Sequence, residues 1–541
     1  MAMALSGGTA CGWEQPSGCA YWVGKLRRGE EAQIAMARAA AAGCVDARPL
    51  LLERLDDPTL GGDALAALIA LGPSEQAETA LRRSLAVVAR VAVAAEQVQQ
   101  WKLAAATPEL AAALADRALV AHRHELLQAA LTVAPPDQLV GALRAVATTP
   151  SEAAPVRRAA LEALARADWT KAGDDSARAA AALAELAVDP DLGDLAVTAL
   201  ARLPVAAGAG ADGLLEAARG GDRRALVLAS ALDPEAGRAA AVSALTEGPK
   251  AAWGAAAPLA VGADLAKFDA ALGAQQQDPE RLWQIVMVVG APARERVADM
   301  AANGKGDTRA AAIRGQALLL GGAELAAWRD EASKHASVLV REVVSRPDVT
   351  AVTALSEACG RDSACLSKDI TDTAPKLASV DAELAVARQA HEVARAAAES
   401  AVAADRERAQ ALAELPAGEA ADAAKAELEG LRARRDEAYK AVEAAATEVD
   451  SREALLTRAM VALGRLSAVG GAGAVPAALS VLSQARGEST ATLRLWALAV
   501  LAAQAGAADS AAVAAAGERT TDDASLAFAL SRLAGRLATK K

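Results

Sequence analysis

Apolar positions recur every three to four residues through most of the chain, in stretches of roughly 10–15 residues broken by Gly, Pro or Asp. Ser151–Asp168 is the clearest stretch. Val156, Ala159, Ala160, Ala163, Leu164 and Ala167 fall on one stripe of a helix, with Ser151 placed to cap it and Pro155 in its first turn. Arg157, Arg158, Glu162 and Arg166 lie off that stripe. Glu162 is spaced for weak surface ion pairs with Arg158 and Arg166, about 0.2–0.5 kcal/mol each. One such helix cannot bury its stripe alone, but a stack of them can.

The rhythm is helix, Asp-Pro turn, alanine-rich helix, Gly-Pro turn. Ala47–Leu55 ends at Asp56-Asp57-Pro58, Gly62–Leu71 ends at Gly72-Pro73-Ser74, and Glu75–Ala86 follows. It returns at Pro135–Thr148, Ser176–Val188, Asp191–Leu203, Asp222–Leu232, Gly306–Leu320 and Thr490–Ala503. The interval is roughly 30–45 residues per helix pair, near that of two-helix solenoids.

From Lys376 to Leu455 the pattern changes to heptads. Val380, Leu384, Ala387, His391, Ala394 and Ala398 begin one seam, which runs through Asp405 and Arg408 to Leu415. Leu428, Leu431, Arg435, Ala438, Val442, Ala445 and Val449 form a second. Reversal at Pro416-Ala417-Gly418 would set Val442 against Ala394, Ala438 against Ala398 and Leu431 against Asp405. This predicts an antiparallel coiled-coil hairpin with legs of about 34 residues, or about 50 Å. One continuous polar helix and a charged linker are the alternatives. Asp405 and Arg435, on opposite legs, are expected to pair and fix the register. The array then resumes with Thr457–Val469, Pro476–Gln484 and Leu493–Ala503, and Ser525–Leu537 is expected to cap the stack. The domains expected are an N-terminal segment 1–19, a helix-pair array 20–356, a Cys-containing connector 357–375, the hairpin 376–456, and C-terminal helices 457–541.

Composition sharpens the fold class. Hydrophobic residues make up 53% of the chain but aromatics only 2%, and alanine, the strongest helix former, dominates the apolar set. No sustained β-branched runs bounded by turns appear. The class is all-α: an α-solenoid of helix pairs interrupted by a long antiparallel coiled-coil hairpin. A net charge of −11 argues against sequence-independent nucleic-acid binding, which rests on Lys and Arg meeting phosphates. No apolar run reaches the ~20 residues needed for a transmembrane helix.

Several helices resemble the second helix of a HEAT repeat, where a turn and Val-Arg precede spaced Ala and Leu. Pro155-Val156-Arg157 with Ala160, Ala163 and Leu164 carries the pattern. Asp307-Thr308-Arg309 with Ala312 and Leu318, Leu493-Arg494 with Ala497 and Leu501, and Asp222-Arg223-Arg224 with Leu228 match more loosely. The resemblance implies a curved, armadillo-like solenoid that binds proteins, usually without chemistry of its own.

Five cysteines add a compartment argument. Cys359 and Cys365 are close enough in sequence for a local disulfide, which suits an oxidising compartment. Cys19 has either Cys11 or Cys44 as partner; if Ala20–Arg28 and Glu30–Gly43 form a helical hairpin, Cys19 and Cys44 meet at its open end. Met1–Ala10 lacks a charged start and an apolar core, so no secretory signal is visible. Yet Leu5–Cys11 has the small-residue run that precedes the cysteine of a bacterial lipoprotein. Lipidation of Cys11, after a mis-assigned start or replaced leader, would anchor the chain to a membrane. The bacterial cell envelope or periplasm is therefore expected, with the cytoplasm as the alternative.

Candidate chemistry is sparse. Gly208-Ala209-Gly210-Ala211-Asp212-Gly213 fits GxGxxG, but no strand feeds it, so it reads as a loop. His122 and His124, two apart on a helix, point away from one another and cannot share a metal. No catalytic, cofactor-binding or metal-ligating residues are assigned. Eight tryptophans read as gap-fillers between alanine-lined helices or as interface anchors. The expectation is a non-enzymatic scaffold for protein partners. A HEAT-like enzyme of base-excising glycosylase or chromophore lyase type is one alternative, and a structural envelope spacer the other.

Overall fold

The computed structural model describes residues 18–168, 175–201, 212–273, 278–416 and 418–539. Every regular element among them is an α-helix or a short 3-10 turn. Alanine sacrifices no rotamer freedom in a helix and lets neighbouring axes approach closely. Contacts divide the chain into two compact units, Met1–Gly210 and Ala211–Lys541. The helix pairs expected over 20–356 are thus shared between them.

In the first unit each helix packs on helices one or two places along the chain, the contact pattern of a stack. Expected boundaries fall close to the observed ones: Gly61–Ala70, Glu75–Ser84 and Val140–Thr148. Ion pairs mark the step between layers. Arg82–Glu109 and Arg123–Glu152 here, with Arg294–Glu324, Arg314–Asp348 and Arg494–Asp522 in the second unit, link residues 27 to 34 apart. That step is tighter than the uneven spacing of turns suggests.

The helix read from Ser151–Asp168 is Ala154–Leu164, with Ala153 and not Ser151 at the N-cap, and Pro155 in the first turn. Val156, Ala160, Ala163 and Leu164 are buried. Arg157 is not on a wet face. Its Nε donates to the Ala147 carbonyl at 3.0 Å and its guanidinium reaches Asp189 at 3.5 Å, because the following helix pair stacks over that flank.

The second unit begins as a similar stack and then closes on itself. Helices Ala491–Gln504 and Ala524–Thr539 pack back on Lys250–Leu259 and Arg223–Leu232. Arg223 meets Asp523 at 2.5 Å across 300 residues, and Arg536 Nη1 donates to the Ala231 carbonyl at 2.7 Å across 305. The final helix therefore does not cap the end of a rod; it lies along the unit's first layers. Gly237 permits tight packing there, since a Cβ at that position would collide with the Ser230 backbone.

The long hairpin joins the outgoing and returning layers. Its legs are Ser363–Ala413 and Glu419–Val469, 51 residues each, or about 77 Å at 1.5 Å per residue. Residues 363–375 are not a connector but the opening turns of the first leg. Thr457–Val469 is not a separate helix but the last turns of the second. Pro375 lies inside the first leg. Burial of Leu366, Ile370, Leu377 and Val380 on either side outweighs the one backbone bond a proline removes.

Candidate functional site

The legs behave differently along their length. Near the base, Leu366, Ile370, Leu456, Leu463 and Leu466 are buried against Pro347–Ala358 and the returning helices. Arg458 clamps Asp369 at 2.5 Å, and Asp381 accepts the Ser489 N–H at 2.8 Å. Beyond Glu383 and Arg452, most side chains outside the mutual seam are exposed. The outer hairpin is an arm.

Its seam runs through the expected positions. Leu384, Ala387, Ala398 and Leu428 are buried, with Ala421 and Ala424 extending the second leg toward the tip. His391, Ala394, Leu431, Ala438, Val442 and Ala445 are half-buried. Numbers rise on one leg as they fall on the other in the cross-leg pairs Arg388–Glu453 at 3.0 Å, Asp405–Arg435 at 2.6 Å and Arg408–Glu427, and Arg452 also reaches Glu383 at 3.3 Å. The legs are antiparallel.

The structure brings Asp405 and Arg435 together. Asp405 takes Arg435 on one oxygen at 2.6 Å and faces Arg432 at 3.5 Å from the other. Its side chain is 15% exposed, so the sheltered charge needs those guanidiniums. Asp436 first, and Asp405 after it, hold the Arg435 pKa above its ordinary value. An axial slip of one heptad would bring Leu428 or Val442 to the Arg435 position and leave Asp405 facing an aliphatic side chain, so the pair favours one register.

Outside the seam lies a second apolar stripe. Ala382, Val386, Ala390, Val393 and Ala397 recur at helical spacing on the first leg. Val386 is 70% exposed, Val393 60%, and Tyr439 on the second leg 50%. A groove of about 410 Å³ runs beside this stripe, lined by Ala382, Val386 and Ala390 from one leg and Ala445, Glu448 and Arg452 from the other. The heptad reading overlooked this stripe because alanines satisfy both faces; the seven-residue interval between Val386 and Val393 was the available signal.

The cysteines occupy helix junctions. Cys19 and Cys44 are disulfide-linked at the open end of the helical hairpin Cys19–Arg28 and Ala32–Ala41, their Cα atoms 5.2 Å apart. Cys359 and Cys365 are linked with Cα atoms 5.3 Å apart across the turn into the first leg. There Gly360 takes φ +57° and Asp362 caps the leg by accepting the Cys365 N–H at 2.7 Å. Cys11 lies outside the described residues, as do Gly208–Ala211 of the glycine loop and Trp169.

At His122-Arg123-His124 the buried residue is Arg123. It pairs with buried Glu152 at 2.8 Å and donates to the carbonyls of Ala113 and Asp116. No group of three or more His, Cys, Asp or Glu placed for a metal occurs among the described residues. Trp253, Trp283, Trp328 and Trp496 are buried. Arg281 stacks 4.5 Å from the Trp253 ring and Arg314 4.3 Å from that of Trp283, so these tryptophans fill the stack. No helix among the described residues is long and apolar enough to cross a membrane.

Comparison of the chain with protein-family models and with curated proteins finds no match to either.

Proposed function

We propose that this chain is a non-enzymatic scaffold that binds protein partners, built as HEAT-like stacks of helix pairs with the hairpin as a reaching arm. The exposed stripe on the outer arm supports this most directly. Val386 and Val393 stand in water on the first leg near the root of an arm held by a sealed seam and cross-leg ion pairs, and isolated two-helix arms have no folding need for them. A partner helix laid along the groove would bury Val386 and, one heptad on, Val393 in the manner of helix-in-groove recognition. Crosslinking in the native host with partner identification tests the reading. Replacing 385–451 by a short Gly-Ser turn should delete partners that the full chain retains; an unchanged partner set refutes the arm's role.

The proposed site of action is the bacterial cell envelope, supported by the two disulfides at helix junctions. Thiol titration of the native protein under denaturing, non-reducing conditions should find at most one free thiol, Cys11, and none if Cys11 carries lipid. Five free thiols would place the protein in a reducing compartment.

A further inference from the structure

The closure of the second unit leaves a cleft between its two layers. A cavity of about 460 Å³ is walled by Val227, Leu259, Val288 and Val289 of the outgoing helices and by Leu498 and Leu533 of the returning ones. A second, of about 240 Å³, shares Val288, Val289 and Ala468 with it and continues along the base of the second leg. The larger volume falls in the roughly 300–1,000 Å³ range of small-molecule sites.

The polar lining is unusual for this chain. The protein carries 68 acidic against 57 basic residues, yet neither cavity is lined by a carboxylate, while Arg238 and Arg536 line the first and Arg361 and Arg465 the second. Elsewhere the sheltered arginines Arg123, Arg314, Arg458 and Arg494 each hold an acid. Among the described residues, Arg536 and Arg465 are bonded to neutral groups. Arg536 reaches the Ala231 carbonyl; Arg465 reaches the carbonyls of Gly360 and Leu318 and the Ser356 hydroxyl. Burial, then the Arg361 charge, pushes the Arg465 pKa down to about 10, and burial lowers Arg536 as well. An anion entering the cleft would relieve that cost.

We propose that the cleft binds a single-chain amphiphile with an anionic head, its acyl chain along Val288, Val289, Leu498 and Leu533 and its head on Arg536 and Arg238. A peptide fits poorly, because the larger cavity's side-chain hydroxyls are only Ser230 and Ser467 and a peptide backbone would go largely unsatisfied. The head chemistry, carboxylate or phosphate, matches a free fatty acid or a lysophospholipid.

The test uses the delipidated full-length chain with cis-parinaric acid as the fluorescent probe, displaced by palmitate, by palmitoyl lysophosphatidate or by hexadecanol. Saturable one-to-one binding is expected, displaced about tenfold more readily by an anion than by the alcohol, as charge-assisted contacts predict. Whichever anion displaces better names the head. Arg536→Met should weaken the probe about tenfold, and exposed Arg238→Gln provides a head variant that does not touch the core. Ala502→Trp, which fills the cleft, should abolish binding with the circular dichroism of the parent, while Val386→Ser on the arm should change nothing. No saturable binding, hexadecanol competing as well as palmitate, or undiminished affinity in a folded Ala502→Trp protein would overturn the proposal. None of these outcomes touches the arm, so the scaffold reading stands or falls separately.

Discussion

Arg314 shows how a single side chain ties layers of the stack together. It lies over the Trp283 ring, donates to Glu280 at 3.0 Å in one direction and to Asp348 at 2.7 Å in the other, and is itself buried. Truncating one member of such a pair leaves the other charge stranded, so Arg314→Met should destabilise the second unit by about 3–5 kcal/mol in urea denaturation. Asp348 makes the pH dependence specific. Burial by itself would raise its pKa, but Arg314 and Arg346 more than offset that and hold it below the ordinary 3.8. With the folded pKa depressed, its contribution is complete above the unfolded value and is lost as pH falls through the folded one. Urea midpoints measured from about pH 5 down to pH 2 should fall less steeply in Asp348→Asn than in the parent. None of this is legible in Asp307-Thr308-Arg309, the motif at the start of this helix. The ladder uses Arg314, five residues on, because only the packed neighbour shows which arginine faces inward.

At the scale of elements, the arm's existence and its register were legible, and its length was not. The alternation of fours and threes from Val380 to Leu415 and from Leu428 to Val449 is the physical requirement for a helical seam, and the charged positions within it, Asp405 and Arg435, meet. A double-mutant cycle on Asp405→Ala and Arg435→Ala should give a coupling of about 0.5–1 kcal/mol, modest because Arg435 remains partly wet; a coupling near zero would mean the pair does not set register. The legs run on past both expected ends because the basal turns face other helices, and their apolar residues follow those contacts rather than the heptad. Local chemistry also hid Ser151's role: a capping residue type preceded the helix, but the chain entered it two residues later at Ala153. The disulfide at the arm's root closes a short loop, and removing it in Cys359→Ser/Cys365→Ser should cost about 2 kcal/mol by chain entropy, measured against the parent under non-reducing conditions.

For the molecule as a whole, the decisive feature is that the second unit is stitched between distant ends of its own sequence. If the returning helices hold to the outgoing ones through Arg223–Asp523, Arg536 and the packing of Ala491–Gln504 on Lys250–Leu259, the arm is dispensable as a covalent link. A protease site placed at the tip beside Pro416 and cut should leave two fragments that co-elute in size-exclusion chromatography and separate only in denaturant; separation in native buffer would contradict the closure. Periodicity sufficed for the all-α class, for most helices to within a few residues and for the hairpin, because each depends on side chains three, four or seven positions apart along one backbone. Which layers meet was settled only in three dimensions. Alanine stripes are nearly interchangeable as packing surfaces, so partner choice passes to a few arginines, acids and close-approach glycines up to three hundred residues apart, and no local pattern records that distance.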